Sequence, residues 1–386
     1  MTDDRAPRPG GADARREHRA ANLAHAIAEA GWDALLLSSP ENVYFSSGAH
    51  IHTQALIRRR QAMAVLSATG EGALVVAEVE RGLAATHNRL PQLLDYREFH
   101  QTAIDVVLPL LRPLVKRGAS LGVEMEHLPA GDYETLRRHL PSVQFVAADE
   151  RLRALRSIKS SVERAQYAQA APALDRAIAA ATMTAQPGIR EDQLAAAIVA
   201  NVYAIAGAEA RTVVGLVAGG HNLLTTHHVA DRTLLRPGDV LRVGCRATFG
   251  AYHALVARTA MVAPARAELL DLHQRLVSAR EDLIASLRPG PSGDEVFQRA
   301  HRFRASIGLP LETAHVGHGI GLEFQELPRL RPGSLDRVAP GMVLLSVCVT
   351  RIPELGLLYL EDLVDIGNDS AALLSQHSQA TPLIIG

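Results

Sequence analysis

The sequence has few of the residues that mark several classes of protein. Only two cysteines occur, Cys245 and Cys348, so a disulfide framework is not expected, whereas a reducing compartment is. Basic and acidic residues nearly balance, with a formal net charge of −1 at pH 7. Because there is no basic excess, neither nucleic acid nor an anionic membrane surface is expected as a partner.

Long apolar runs are also missing. No uninterrupted stretch approaches the ~20 apolar residues that a membrane-spanning helix needs. The N-terminus, Met1 to His18, is polar and lacks the apolar core of a signal peptide. We therefore expect a disordered tail over residues 1–18 and a cytoplasmic protein without a membrane partner.

The length of 386 residues is enough for two domains at roughly 150 residues each. In the first, residues 19–156, short apolar strands alternate with helices. The predicted helices are 19–30, 103–114 and 132–140, and the predicted strands are 34–38, 63–68, 73–79, 120–124 and 144–147. This alternation predicts an α/β domain with a largely parallel sheet.

The second domain, residues 157–386, contains an internal repeat. It opens at Ser160 with a capping-box pattern that begins a long helix. Two Pro-Gly pairs then recur about 100 residues further on. Pro187-Gly188 returns as Pro289-Gly290, and Pro237-Gly238 returns as Pro340-Gly341. The repeat predicts a duplicated unit with a pseudo-twofold axis and a binding cleft between its halves.

Four polar clusters in the second domain could carry chemistry. They are Asn222 with Thr225 to His228, Tyr252-His253 with Arg258-Thr259, His315 to Arg329, and Glu361-Asp362. Histidine titrates near neutral pH, which suits a general acid or base, although a solvated loop would explain His227 and His228 equally well. The carboxylates in an apolar strand need partners, which favours either function or a buried ion pair.

These clusters, in this order, resemble the creatinase/aminopeptidase P/prolidase family. The resemblance runs from Glu41 to Gly48 in the first domain to Glu361 near the end, and its densest part is His315-Val316-Gly317-His318-Gly319-Ile320-Gly321. It implies an α/β (α+β) fold with an N-terminal α/β creatinase-like domain and a C-terminal pseudo-twofold pita-bread domain. It also implies a homodimer.

The resemblance does not extend to the full metal site. Peptidases of this family hold two divalent metals with two aspartates, one histidine and two glutamates. The corresponding positions here are Gly244, Leu255, His318, Val347 and Glu361. A histidine and one glutamate cannot balance two dications, so we expect no metal and no other cofactor. A replacement site using His253, Glu323 or Cys348 is the alternative.

Creatinase is the branch of the family that acts on a non-peptide C–N bond without this metal pair. The resemblance places its loop histidine at His227 and its substrate-holding arginine at Arg329, and it matches a partner-subunit arginine loosely to Arg59. Ala257 and Val347 replace glutamates that creatinase carries, which argues against creatine as the substrate.

The leading hypothesis is a metal-independent hydrolase that acts on a C–N bond of a small carboxylate-bearing molecule. His227 would be the general base, Glu361 its charge partner, and His318 a donor to developing negative charge. The predicted substrate-binding residues are Arg329, Arg59, His315, Gln325 and Glu326. Two alternatives remain: a non-catalytic binding protein on a degenerate peptidase fold, and an Xaa-Pro peptidase with an atypical metal site.

Overall fold

A computed structural model of the chain describes residues 19, 22–69, 71–309, 311, 313–352, 356–375 and 380–386. The predicted tail, residues 1–18, lies outside the described residues. The chain divides into two compact units, Met1–Arg156 and Ser157–Gly386. Among the described helices, none combines the length and apolar character that crossing a bilayer would require.

The first unit is built on a six-stranded sheet with the order β4-β3-β2-β1-β5-β6. Its strands are β1 Ala34–Leu37, β2 Met63–Ser67, β3 Gly72–Ala77, β4 Gln92–Tyr96, β5 Ser120–Val123 and β6 Gln144–Ala147. Three strand pairs are parallel, but β1–β2 and β2–β3 are antiparallel. The sheet is therefore mixed. The β2–β3 pair is antiparallel because the connection between these strands is too short for a crossover.

Capping residues mark the ends of helices in this unit, as the helix Pro40–Ser47 shows. They are α1 (22–30), α2 Pro40–Ser47, α3 Arg81–His87, α4 Ala103–Leu111, α5 Ala130–His139 and α6 Asp149–Ser157. At α2 the Ser39 hydroxyl accepts from the amide of Asn42, and Gly48 ends the helix with φ of 75°. Apolar residues of α4, among them Val107 and Leu111, are buried in the same core cluster as the strand residues.

The second unit packs four long helices against a nine-stranded sheet whose main order is β11-β10-β12-β13-β9-β8-β7. The helices are α7 Ser161–Thr184, α8 Glu191–Ala206, α9 Ala267–Ser286 and α10 Gly293–Ser306. The strands are β7 Ala210–Gly219, β8 Val240–Phe249, β9 Tyr252–Val262, β10 Gly317–Gly319, β11 Glu326–Arg329, β12 Val343–Ile352, β13 Gly356–Ile366, β14 Ala371–Leu373 and β15 Leu383–Ile385.

Backbone hydrogen bonds around the Pro-Gly turns repeat in the two halves of this unit. The bonds are Gly188 N to Leu235 O (2.7 Å) and its counterpart Gly290 N to Val338 O (2.9 Å), then Gly238 N to Val262 O (2.9 Å) and its counterpart Gly341 N to Ile366 O (2.8 Å). All four glycines have positive φ, between 84° and 118°, which suits a residue without Cβ. The predicted duplication is confirmed.

A buried ion-pair network identifies the sheet face that the helices cover. Arg258 on β9 lies 2.7 Å from Asp362 on β13 and 3.1 Å from Asp175 on α7. Arg280 on α9 reaches the same Asp362 carboxylate at 3.5 Å. Since side chains alternate along a strand, Ala257 and Glu361 project to the opposite face.

Candidate functional site on the sheet face opposite the helices

The positions that correspond to the family's metal ligands lie side by side across four strands. Val347 on β12 pairs with Glu361 on β13, which pairs with Ala257 on β9, which pairs with Gly244 on β8. Directly paired residues share a face of the sheet, and Leu255 shares it because it lies two residues from Ala257. The sheet register therefore gathers these positions on the face away from α7 and α9.

His318 lies on the same face, because it pairs with Leu345, two residues from Val347 on β12. Its ring Nδ1 donates to the carbonyl oxygen of Gly319 at 2.8 Å. Burial lowers the pKa of His318 to about 4. The ring is therefore neutral at pH 7, and its Nε2 carries the lone pair.

Glycines around His318 allow the backbone to approach other groups closely. A Cβ on Gly319 would collide with the carbonyl of Leu327, and a Cβ on Gly321 would collide with the carboxylate of Glu326. Packing therefore favours glycine at positions 319 and 321 of this motif.

Two further histidines, His315 and His253, belong to a cluster of rings around His318 and Phe324. The His315 and His318 ring centres are 5.6 Å apart, and Phe324 lies 5.7 Å from His318 and 6.0 Å from His253. Burial lowers the pKa of His315, and burial followed by the charge of Arg246 lowers the pKa of His253 to about 4. The cluster therefore presents neutral imidazoles to the site.

Glu361 is the one carboxylate of the family set that this face retains. Burial is the largest influence and raises the pKa of Glu361 to about 7, with Asp362 adding to the rise and Arg242 and Arg258 opposing it. The carboxyl group is thus able to exchange a proton close to neutral pH.

The other predicted site residues have more varied surroundings. Glu326 is buried and forms an ion pair with Lys159 at 2.8 Å. Arg329 is the pairing neighbour of His318, but its Nε lies 3.1 Å from Asp336 and its side chain is half-exposed. Gln325 is exposed on the turn before β11.

His227 and Arg59 are both exposed. His227 follows the 3₁₀ turn Gly220–Leu224. Arg59 belongs to the first unit, where it lines a cavity of 670 Å³ together with Tyr96 and Asp132. The structure describes the two units separately, so Arg59 remains a prediction.

The loop that contains His227 is anchored by its neighbour. His228 Nε2 lies 2.7 Å from the carboxylate of Glu191, which is fully buried and also accepts from the amide of Gly219 at 2.7 Å. Glu191, His228 and Asp231 form the one trio among the described residues whose possible metal-ligating atoms lie within 4.8 Å of one another. Even without a metal, the hydrogen bonds of Glu191 to Gly219, His228 and Asp231 hold the loop in place.

Two arginines on this face were not predicted as site residues from the sequence. Arg242 and Arg246 flank Gly244 on β8 and share its face. Their signal was available, because two arginines four residues apart in an apolar strand lie on one face and differ from the residues around them. Without the register of β8 against β9 and β13, however, that signal did not connect them to Glu361.

The residues present do not fit a five-ligand, two-metal centre. Gly244, Leu255 and Val347 offer no donor atom, and the one trio of close donors in the described part of the chain lies at Glu191. Gly244 is also tightly packed, since a Cβ there would lie 3.0 Å from both the carbonyl oxygen of Val256 and the Cβ of Ala257.

The duplicated sheet and the convergence of His318 and Glu361 on one face define a pita-bread protein. The profile of metallopeptidase family M24 matches residues 165–366, and that of the creatinase/prolidase N-terminal domain matches residues 19–158. The chain belongs to metallopeptidase family M24, a family of hydrolases.

Several characterised or named proteins are similar along most of their length. The Xaa-Pro dipeptidase of Pyrococcus horikoshii is 26% identical over 348 residues, 89% of this chain and 93% of that protein. The probable dipeptidase PepE of Mycobacterium tuberculosis is 27% identical over 355 residues, 92% of each chain. The structure of the prolidase from Pyrococcus furiosus has a TM-score of 0.78 at 24% identity and covers 92% of this chain and 100% of that one.

These similarities correct the leading hypothesis from the sequence. A metal-independent hydrolase of a non-peptide C–N bond is wrong, because the relatives that span nearly the whole chain are dipeptidases. The error came from treating the loss of three ligand positions as a change of reaction. The loss of metal ligands does not by itself show which bond is cleaved.

Proposed function

We propose that this protein hydrolyses short peptides, with Xaa-Pro dipeptides as its substrate class. The observation that carries the proposal is the similarity to Xaa-Pro dipeptidases over about nine-tenths of the chain. The retention of His318 and Glu361 on one face of the second sheet supports it. Glu361 can exchange a proton near neutral pH, whereas His318 stays neutral and can accept a hydrogen bond.

In this proposal Glu361 exchanges a proton at its carboxyl group, and His318 accepts a hydrogen bond through Nε2. The apolar side chains of Leu255 and Val347, both nearly buried, exclude water from the neighbouring positions. The five family positions lack donors for two cations, so any metal requirement has to be met by other donors. Glu191, His228 and Asp231 are the described residues spaced closely enough to do so.

Further ligand contacts are proposed at the residues that the sequence singled out. These are His227, His315, Gln325, Glu326 and Arg329 in the second unit, with Arg59 contributed by a second copy in a homodimer. Light scattering after size exclusion measures the mass in solution, and a mass of one chain would contradict the dimer.

The test is an assay of proline release from Ala-Pro, Gly-Pro and Leu-Pro, with Ala-Ala as a comparison peptide. The protein is first treated with EDTA and then supplied with Mn²⁺, Co²⁺ or Zn²⁺ in separate reactions. We expect turnover that falls by about 10²- to 10⁴-fold in Glu361→Gln. Arg302→Gln, a substitution on the exposed side of α10, should leave the rate unchanged. Absence of proline release under every condition would contradict the proposal.

A second candidate function is the binding of short peptides without hydrolysis. The replacement of three carboxylate ligands by Gly244, Leu255 and Val347 favours it, because the resemblance implies that the peptidases of this family hold their two metals with that set. Calorimetric titration separates the two candidates. Heat of binding for Gly-Pro with no product formed supports the second, and product formation supports the first.

A further inference from the structure

The face that carries the family positions holds two cationic side chains on β8. Arg242 and Arg246 each lie two residues from Gly244, on either side of it, where the family resemblance leads one to expect a carboxylate. The sign of the charge on this strand is thus opposite to the sign that a cation-binding centre needs.

Arg242 is buried without a counter-charge in contact. It is 7% exposed, its Nη1 donates to the carbonyl of Thr226 at 2.8 Å, and its Nε is buried with no hydrogen-bond partner in the described part of the chain. The Cζ atom lies 5.2 Å from the ring centre of Tyr359. No ion pair within 4.0 Å joins Arg242 to Glu361 or to any other described carboxylate. Burying a guanidinium in this way costs free energy that an anionic partner would recover.

Arg246 supplies a second cation to the same face. Its Cζ lies 5.9 Å from the ring centre of Phe324, and its charge acts on the ring of His253. Within the described residues its guanidinium takes part in no hydrogen bond or ion pair. Because it is only half-buried, it is accessible to a ligand.

We infer that Arg242 and Arg246 make this face an anion-binding site that takes a carboxylate group of the ligand. The identity of the ligand rests on the proposed function: for a short peptide, the group is the C-terminal carboxylate. A guanidinium presents planar N–H donors that match a carboxylate, and charge-assisted hydrogen bonds of this kind are among the strongest in proteins.

The surroundings of the two arginines suit the rest of such a ligand. Leu255, Ala257 and Val347 share their face and offer apolar surface in place of the missing ligands. An apolar ring next to a carboxylate, as in a C-terminal proline, is complementary to this combination of cations and aliphatic side chains.

The test uses L-proline, L-prolinamide and acetate as calorimetric probes, because none of them contains an Xaa-Pro bond. Wild-type protein should bind proline about 10- to 100-fold more tightly than prolinamide, the ratio expected for hydrogen bonds to a charged group. Arg242→Gln should reduce that ratio to about threefold or less, Arg242→Lys should restore part of it, and the control Arg302→Gln should keep it.

Equal affinity for proline and prolinamide, or an unchanged ratio in Arg242→Gln, would overturn the inference. If Arg242→Gln does not fold by circular dichroism, Arg246→Gln at the half-buried position makes the same comparison. The outcome is separable from that of the proposed function. Arginine-dependent binding of proline or acetate without any peptide hydrolysis supports the anion site and removes the peptidase proposal. Peptide hydrolysis together with equal binding of proline and prolinamide supports the peptidase proposal and removes the anion site.

Discussion

Among single residues, His273 on α9 shows how burial sets a protonation state. The side chain is fully buried, and both ring nitrogens lack a hydrogen-bond partner among the described residues. Burial, followed by the charges of Arg280 and Arg258, lowers the pKa of His273 to about 4. The unfolded chain, with a histidine pKa near 6.5, therefore binds this proton more tightly than the folded chain does.

This difference predicts a loss of stability on acidification. Since the folded pKa is depressed, the stability is fully present above about pH 6.5 and is lost as the pH falls toward 4. At pH 5 the cost from His273 is about 2 kcal/mol. His273→Leu removes it, so the difference in unfolding free energy between variant and wild type should shift by that amount in favour of the variant between pH 8 and pH 5. Urea titrations at both pH values measure it, and the same difference at both would contradict the assignment.

For single residues, the sequence allowed motif positions to be located but not the partners that those residues contact in the folded chain. His318 and Glu361 could be placed because they belong to short motifs with fixed spacing. Glu326 could not be recognised as the partner of Lys159, since the two are 167 residues apart and meet only in the folded chain. The arginines of β8 were missed for the same reason, because their relation to Glu361 depends on the register of three strands.

Among the secondary-structure elements, the buried ion-pair network joins α7, α9, β9 and β13. Arg258 is 1% exposed and contacts two carboxylates, and its Nη1 also donates to the backbone carbonyl of Glu361 at 3.0 Å. The network thus fixes the strand position from which Glu361 projects to the other face.

Removing one charge from this network should be costly. Asp362→Asn leaves the Arg258 and Arg280 guanidinium groups incompletely paired, and we expect the free energy of unfolding to fall by about 3–5 kcal/mol. Asp365→Asn on the same strand is the matched control. It weakens a more exposed pair with Arg164 and should cost about 1 kcal/mol or less. Denaturant unfolding of both variants provides the measurement, and equal losses would show that burial of the network is not the decisive factor.

Element boundaries and the duplication were largely accessible from the sequence. The Pro-Gly pairs marked turns whose hydrogen bonds repeat in both halves, because glycine with positive φ is needed at each. The mixed sheet of the first unit was not predicted correctly. Alternating helices and strands favour parallel pairing, but the short connection between Ser67 and Gly72 leaves no room for a crossover, so β2 and β3 had to pair antiparallel.

For the whole molecule, the missing carboxylates and the two arginines both lower the affinity of the second sheet for divalent cations. Restoring the family set by Gly244→Asp, Leu255→Asp and Val347→Glu adds three oxygen ligands beside His318 and Glu361. We expect this variant to retain up to about two more Mn²⁺ or Co²⁺ per chain than wild type. Adding Arg242→Leu should increase the affinity further, because a nearby cation opposes the metal.

Elemental analysis after gel filtration measures the metal content of each protein. The control is the restored variant with His318→Ala, which should lose the added metal. A wild-type protein that already holds about two metals per chain, and loses them in His318→Ala alone, would contradict the prediction, because cations would then bind beside His318 without the three carboxylates.

The packing around Gly244 also determines how the family's ligand set could be rebuilt by substitution. Strand β9 lies so close that a side chain at this position would press on the carbonyl of Val256 and on Ala257. A single Gly244→Asp substitution therefore meets steric resistance from β9 and, with Leu255 and Val347 in place, does not complete the five-ligand set. A carboxylate at the buried position of Leu255 or Val347 alone likewise has a desolvation cost that no bound cation offsets. The three replacements therefore act as a set: metal binding is expected to return only when all three are substituted together, and no single substitution should raise the metal content.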